Sequence, residues 1–504
     1  DLAEYTSGLT DIFEKYGTKG TWYAHASVGC LHVRPVLNLR LDKDVKTMRA
    51  VAEECFDLVA HYKGSHSGEH GDGLVRSEFH EKMFGPRMVA NFGEVKKRFD
   101  PAGLFNPGKI VSPPKMDDRR LFRYGPDHAV PDMPTELDWS GWTGSGGGFQ
   151  GAVEMCNNNG ACRKLKGGVM CPSFRVTRKE KDLTRGRANT LRLAISGQLG
   201  ADAFASDEMA ETMKLCVSCK GCKSECPTGV DMARMKIEVL SARAKKNGLT
   251  LHDRLVGFLP RYAVWASKVP FLMNLRDRIP GLAGLSEKVT GFTAKRALPQ
   301  WSAAAFKDSE VKDSPAPQAV LFVDSFNRYF EPENLRSAIR VLQAGGISLD
   351  VVKAADGGRP LCCGRTFLSV GLVDKAKQEA QRLVEALLPY AEKGLPIIGL
   401  EPSCLLTLRD EIPALLPGKE TALIAKHAFM FEEFVANQSA NPSFNLPLKS
   451  PSAKIVLHGH CHQKAMNVMS SVEKVLAMLP DATVEKVETS CCGMAGAFGY
   501  GTDT

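Results

Sequence analysis

The chain has 504 residues, a formal net charge of +8, 43% hydrophobic residues and 24% charged residues. That length suggests three or four domains of ordinary size, and the composition excludes a disordered chain, a fibrous repeat or a disulfide-built scaffold. No run approaches the ~20 apolar residues of a membrane span, and acids interrupt the one basic run, "RVTRKEKDLTRGR" at 175–187, which argues against nucleic acid as a partner.

Residues 1–112 read as an α+β domain. "TWYAHASVGCLHVRPVLNL" (21–39) is rich in β-branched and aromatic residues and predicts two strands joined by a turn. Residues 45–64 carry apolar positions at helical spacing and stop at Gly64; "MVANFGEVKKRFDP" predicts a second helix ended by Pro101. Residues 113–150 read as a linker, Pro-rich at one end and Gly/Ser-rich at the other ("TGSGGGFQG"). Residues 151–250 are helical and carry two cysteine groups.

Residues 251–315 read as a helical connector that ends in a second linker around "KDSPAPQ". Within it, 252–285 mixes aromatic, aliphatic and basic residues. A buried helical segment broken by Pro260, Pro270 and Pro280 is expected there, with a membrane-surface segment as the alternative. An internal repeat follows. "QAVLFVDSFNRYF", "NLRSAIRVLQAGG" and "PLCCGRT" are echoed by "AKIVLHGHCHQKA", "SVEKVLAML" and "TSCCGMAG". Each unit reads as a buried strand, a helix and a Cys-Cys-Gly turn. The first unit occupies 316–410, a connector 411–450, and the second 451–504. There is no signal peptide, and the chain opens at Asp1 inside a helical pattern and stops soon after a motif, which reads as an internal piece of a longer protein.

Thirteen of the fifteen cysteines are clustered, which favours metal or cluster ligation in a reducing, cytoplasmic compartment; Cys30 and Cys55 are assigned to packing. Cys216, Cys219, Cys222 and Cys226-Pro227 match the C-x2-C-x2-C-x3-C-P run of bacterial ferredoxins, in which three thiolates on a tight loop hold one face of a 4Fe–4S cluster and the fourth points elsewhere. Cys156, Cys162 and Cys171-Pro172 form the expected partner group. By the exchange of fourth ligands, one cluster takes Cys216, Cys219, Cys222 and Cys171. The other takes Cys156, Cys162 and Cys226 and is one ligand short: a three-iron cluster, a non-cysteine ligand and no cluster at all stay open. Cys362, Cys363 and Cys404, with Cys461, Cys491 and Cys492, are candidates for a further metal or cluster between the repeats, against a vicinal disulfide or apolar filler.

In the first domain, His25 and His32 near the ends of paired strands and Glu69 in a glycine-flanked turn make two imidazoles and a carboxylate, a set suited to zinc or manganese. His70, beside Glu69, is a candidate general base for a hydroxyl proton. Arg34 is either a grip on a substrate carboxylate or a structural surface residue, and Arg76 is a weaker candidate of the same kind.

These motifs carry a resemblance. "GEHGDG" followed by "NPGK" at 106–109 resembles the C-terminal substrate domain of FAD-linked oxidases, and the Cys-Cys-Gly turns resemble those of heterodisulfide reductase and of the iron–sulfur components of glycolate and lactate dehydrogenases. The order of the parts resembles the fused FAD- and iron–sulfur-dependent D-2-hydroxyacid dehydrogenases of the bacterial D-2-hydroxyglutarate type. The resemblance implies FAD, with Asn106 and Lys109 on its side of the domain, a divalent ion on His25, His32 and Glu69, and His70 as the catalytic histidine. It also implies a flavin-binding domain ahead of residue 1 and electron delivery to a quinone or a protein acceptor, with peripheral contact on the inner membrane as an open alternative. The chain departs from the family pattern at Phe326, near the lone-cysteine position of the first repeat, and at Glu401, which replaces the first cysteine before Cys404. D-lactate or glycolate oxidation, and electron transfer alone, are the rival functions.

Overall fold

The computed structural model describes residues 1–122, 124–126, 133–142, 147–451 and 454–502. The chain divides into two compact units, residues 1–130 and 131–504. Most of the glycine run of the expected linker, residues 143–146, lies outside the described residues.

In the first unit the expected strands form an antiparallel hairpin, β1 (Gly20–His25) and β2 (Cys30–Pro35), in the register Tyr23↔His32 and His25↔Cys30. Helix Leu2–Lys15 buries Leu9 and Phe13, and helix Asp42–His61 buries Val45, Val51 and Val59, each at helical spacing. Helix Pro86–Phe99 starts on a proline that has no N–H to lose there, and Asp100 follows it.

The second unit opens with a correction. Residues 133–142, expected in the linker, are packed: Leu137 and Trp139 are buried in the core. The reason is a distant carboxylate. Glu238, on helix Met232–Asn247, accepts hydrogen bonds from the backbone N–H of Glu136 (2.9 Å) and Leu137 (3.0 Å) and from Trp139 Nε1 (2.8 Å). The Arg234 guanidinium lies over the Trp139 ring at 4.8 Å. A carboxylate 102 residues away leaves no local signal in the linker.

A parallel four-stranded sheet in the order β4-β3-β5-β6 follows, built from β3 (Ala319–Leu321), β4 (Leu349–Val351), β5 (Ile397–Gly399) and β6 (Ala428–Met430). Every residue of β3 and β5 is buried, as continuous apolar runs in a covered parallel sheet require. β7 (Lys454–Leu457) and β8 (Thr483–Lys486) form a separate parallel pair. The two strand–helix–strand units share local detail. Gly364 and Gly493 both have φ of 80°, a left-handed value that suits glycine, and their N–H groups point at Cys362 Sγ (3.3 Å) and Cys491 Sγ (3.4 Å). Counted from the strand ends Leu321 and Leu457, Ser325 rather than Phe326 stands where the second unit has Cys461.

Residues 252–285 are helical but only partly buried. Pro260 and Pro270 sit in the first turns of helices Leu259–Ala266 and Pro270–Met273, starting short helices instead of breaking one long one. One narrow face packs, through Ala263 and Ala266 against Trp301 and Tyr329; Trp265, Phe271, Leu272 and Leu285 are exposed. Among the described residues no helix is long and apolar enough to cross a membrane.

Replacing Glu238 by Ala orphans three buried donors. The expected loss is about 2–4 kcal/mol, read as loss of amide-exchange protection at residues 136–139 and a lower urea midpoint.

Candidate functional site

The period of a strand puts His25, Tyr23, His32 and Arg34 on one face of the hairpin. The loop after helix Asp42–His61 brings Glu69 and His70 to that face. It can close in because residue 68 has no side chain: a Cβ there would stand 2.7 Å from Cys30 Sγ. Three imidazoles then converge on one carboxylate oxygen, Glu69 Oε1, with His32 Nε2 at 3.1 Å, His70 Nε2 at 3.1 Å and His25 Nε2 at 3.5 Å. The ligand atoms of His25, His32 and Glu69 all lie within 4.8 Å of one another, the compactness a single ion needs. The site is open to solvent: the side chains of His25, His70 and Glu69 are 59%, 57% and 43% exposed, while His32 is packed beneath the Tyr23 ring.

Arg34 is exposed on the same face, its guanidinium 5.1 Å from the centre of the Tyr23 ring. Arg76 instead donates to the Gly71 carbonyl at 3.0 Å and braces the loop. Asn106 and Lys109 lie on a turn joined to this region by the Ile110 N–H, which donates to Ser77 Oγ at 3.2 Å.

A second compact group, His66, Asp72 and His80, is present. His80 Nε2 meets Asp72 Oδ2 at 2.8 Å and His66 Nε2 lies 3.2 Å from Asp72 Oδ1. Metal-bound imidazoles pass their second ring N–H to an acceptor. Here Nδ1 of both histidines is buried without one, among Phe56, Phe84 and Phe92, so the group reads as a carboxylate bridging two imidazoles inside the domain.

In the second unit, Cys171, Cys216, Cys219 and Cys222 line one cavity, together with the buried Arg187. Left-handed backbone at Ser218 and Lys220 winds the loop, and Cys171 itself has φ of 53°. Gly221 permits the two cysteine loops to meet, since a Cβ there would stand 2.9 Å from Met170 N. Among the described residues no thiol group is as compact as the histidine sets. Burial pushes the Cys171, Cys219 and Cys222 thiols up. Lys236, buried, donates to the Cys216 carbonyl at 2.6 Å, and burial pushes its pKa down.

Cys156 and Cys162 are buried in the adjoining core, with Asn158 Oδ1 3.9 Å from Cys156 Sγ. Burial pushes Cys162 up to about 11. Cys226 packs against the same core, 3.3 Å from Thr228 Oγ1. In the repeats, Cys362, Cys363 and Cys404 are buried together, and each raises or lowers the titration of its neighbours' thiols. Cys491 bonds to Cys461 and is pulled down to about 6 by that bond, while Cys492 is exposed; all fifteen cysteines are free thiols. Cys219 is close enough to Cys461 and Cys491 for their charges to interact.

Residues 1–110 match the model of the C-terminal domain of FAD linked oxidases. Residues 152–230 match a 4Fe-4S dicluster domain. D-2-hydroxyglutarate dehydrogenase of Escherichia coli is 24% identical over 99% of this chain and 52% of its own length. The glycolate oxidase iron-sulfur subunit of E. coli is 24% identical over 69% of this chain and 80% of its own length. D-lactate dehydrogenase of Archaeoglobus fulgidus is 32% identical over 22% and 24%. The chain thus spans about half the length of the D-2-hydroxyglutarate dehydrogenase it matches. No solved structure matches it.

Within residues 1–110, sequence reasoning named the histidines, Glu69 and the glycines flanking it but missed Tyr23, which stacks on His32. The i, i+2 spacing of Tyr23 and His25 was the available signal for it, while the contact of Gly68 with Cys30, on another element, has no local mark. In the second unit it missed the role of Arg187, read only as the end of a basic run, and Lys236, which lies beyond the matched residues. Gly68→Ala is expected to cost about 1–3 kcal/mol by overpacking, and Cys30→Ala added to it to restore most of that, in urea melts of the protein.

Proposed function

We propose that this chain is the substrate and relay portion of an FAD- and iron–sulfur-dependent D-2-hydroxyacid dehydrogenase that oxidises D-2-hydroxyglutarate to 2-oxoglutarate on the cytoplasmic side of the membrane. The observation that carries the proposal is the convergence of His25, His32 and His70 on Glu69 in a chain that also gathers four cysteines around one cavity. The similarity to D-2-hydroxyglutarate dehydrogenases over 99% of the chain supports the choice of substrate.

His25, His32 and Glu69 would hold a zinc or manganese ion, whose Lewis acidity lowers the pKa of the substrate hydroxyl. FAD, when bound, supplies the hydride acceptor, and Asn106 and Lys109 are the contacts this chain offers toward it. His70 takes the hydroxyl proton at Nε2, with Glu69 beside it favouring the imidazolium that forms. Arg34, on the same hairpin face, grips a carboxylate of the acid.

Cys171, Cys216, Cys219 and Cys222 would hold a 4Fe–4S cluster, a one-electron carrier. Each thiol would be deprotonated on ligation, with the positive charge of the iron offsetting the burial that otherwise keeps it protonated. Cys156, Cys162 and Cys226 would hold a second cluster completed by a non-cysteine ligand. The paired Cys-Cys-Gly units are a duplication whose cysteines, with Cys461 and Cys491 near Cys219, would hold a further metal or cluster, which would supply a one-electron carrier toward a quinone or a protein acceptor.

Lys236 places a buried positive charge by Cys216. Lys236→Met is expected to make the cluster harder to reduce by roughly 50–150 mV, from Coulomb's law at an effective dielectric near 20; an EPR-monitored redox titration reads it.

The proposal is tested with the flavin-loaded enzyme. Glu69→Ala and His70→Ala are each expected to lower kcat/KM for D-2-hydroxyglutarate by about 10²–10⁴, with the iron content unchanged. Turnover compared across D-2-hydroxyglutarate, D-lactate and glycolate separates the rival substrates. Normal turnover in either variant ends the assignment.

A further inference from the structure

Among the described residues of the second unit, fourteen large hydrophobic residues are exposed, and eight of them fall between 265 and 289. Trp265 (68% exposed), Phe271 (63%), Leu285 (61%) and Val289 (63%) lead them, with Val269, Leu272, Met273 and Ile279 between. A cluster of that density on a globular protein marks a contact surface. It is carried on short helices, Leu259–Ala266, Pro270–Met273 and Leu282–Thr290, of which the first packs inward through Ala263 and Ala266.

The charges there have one sign. Between 259 and 296 the sequence has seven Lys and Arg residues and two acids. Both acids are occupied: Asp277 pairs with Arg276 and accepts from the Leu298 N–H at 2.8 Å, and Glu287 accepts from the Ala294 N–H. Lys268, Arg278, Lys288 and Lys295 are exposed, and Lys268 Nζ stands 4.4 Å from the centre of the Trp265 ring. Aromatic and aliphatic tips with lysines reaching past them form the chemistry of an interfacial segment that lies in the headgroup layer. A second copy of the chain would oppose like charge with like; an anionic bilayer complements it.

We propose that residues 262–290 dock this protein on an anionic membrane surface. The segment is tied to the second Cys-Cys-Gly turn: the Thr293 N–H donates to the Tyr500 carbonyl at 2.8 Å, and Phe292 pairs with Gly501. Docking therefore brings Cys491 and the exposed Cys492 toward the lipid, where a membrane-dissolved acceptor is found. That consequence rests on the relay reading above; the docking itself does not.

The test is flotation of the holoprotein with vesicles of phosphatidylcholine containing about 30% phosphatidylglycerol. Binding is expected, with a blue shift of Trp265 emission, a loss of about tenfold or more on raising salt from about 0.1 to 0.5 M, and little binding to phosphatidylcholine alone. Trp265→Ser/Phe271→Ser/Leu285→Ser and Lys268→Glu/Lys288→Glu are each expected to reduce the bound fraction at least tenfold, with the iron–sulfur absorbance unchanged. Substrate turnover with a soluble electron acceptor stays at the wild-type level, so a failure of docking is distinguishable from a failure of the dehydrogenase reading. No flotation of the wild type, or equal flotation of both variants, overturns the proposal. A dimer in light scattering that the serine variant abolishes, without vesicle binding, assigns the face to a second copy and overturns it too.

Discussion

The arrangement of the second unit depends on a buried cluster of charges. Lys220, in the turn between Cys219 and Cys222, is 2.7 Å from Asp410 and 2.6 Å from Glu411, and all three are buried. Arg365, next after the first Cys-Cys-Gly, takes the other oxygen of Glu411 at 2.5 Å and reaches His462 Nε2 at 3.3 Å. His462 in turn lies 3.1 Å from the Ser218 carbonyl, back on the cysteine loop. The ring of contacts joins the ferredoxin-like loop to both repeats. Removing one member would leave a buried charge unpaired at about 3–5 kcal/mol.

The electrostatics decide when that ring holds. Burial raises the carboxyl of Asp410, but Lys220 and Lys223 outweigh it and keep the pKa below the usual range; Lys220 and Arg365 do the same for Glu411. A carboxylate depressed by folding stabilises the protein above its unfolded pKa and loses that contribution as pH falls through the folded value. The ring is therefore intact at neutral pH and fails in acid. Lys220 also lines the cavity of four thiols together with the buried Arg187, and Lys236 reaches the Cys216 carbonyl beside it. Four ligating thiolates bring negative charge into a region already supplied with its counterions.

What the sequence made legible was local. A seven-residue step from His25 to His32 across a turn, glycines around Glu69 and His70, and tight cysteine spacings each describe a single loop, and each loop has the shape its spacing implies. What it hid was reached through distance. Glu238 draws a stretch that looked like linker into the core from 102 residues away. Gly68 matters because of Cys30, on another element, and Lys236 because of Cys216, twenty residues earlier. The apolar residues of 252–285 looked like core because hydropathy carries no information on whether anything covers them.

The two exposed regions, the histidine face and the apolar basic surface, therefore stand in different relation to the fold. The histidine face is assembled by close backbone approach, with Gly68 against Cys30 and Tyr23 stacked on His32, so its geometry is set by packing that cannot be relaxed piecemeal. The apolar surface is carried on helices of four to nine residues joined by prolines and glycines, and only alanines and a few rings hold them down. A catalytic constellation needs the first kind of support, because a displacement of one ångström is costly to the chemistry. A surface that meets lipid needs only the second, because a bilayer accepts apolar side chains without demanding their register. The same chain can then keep its histidine face rigid while its outer helices adjust to whatever they rest upon.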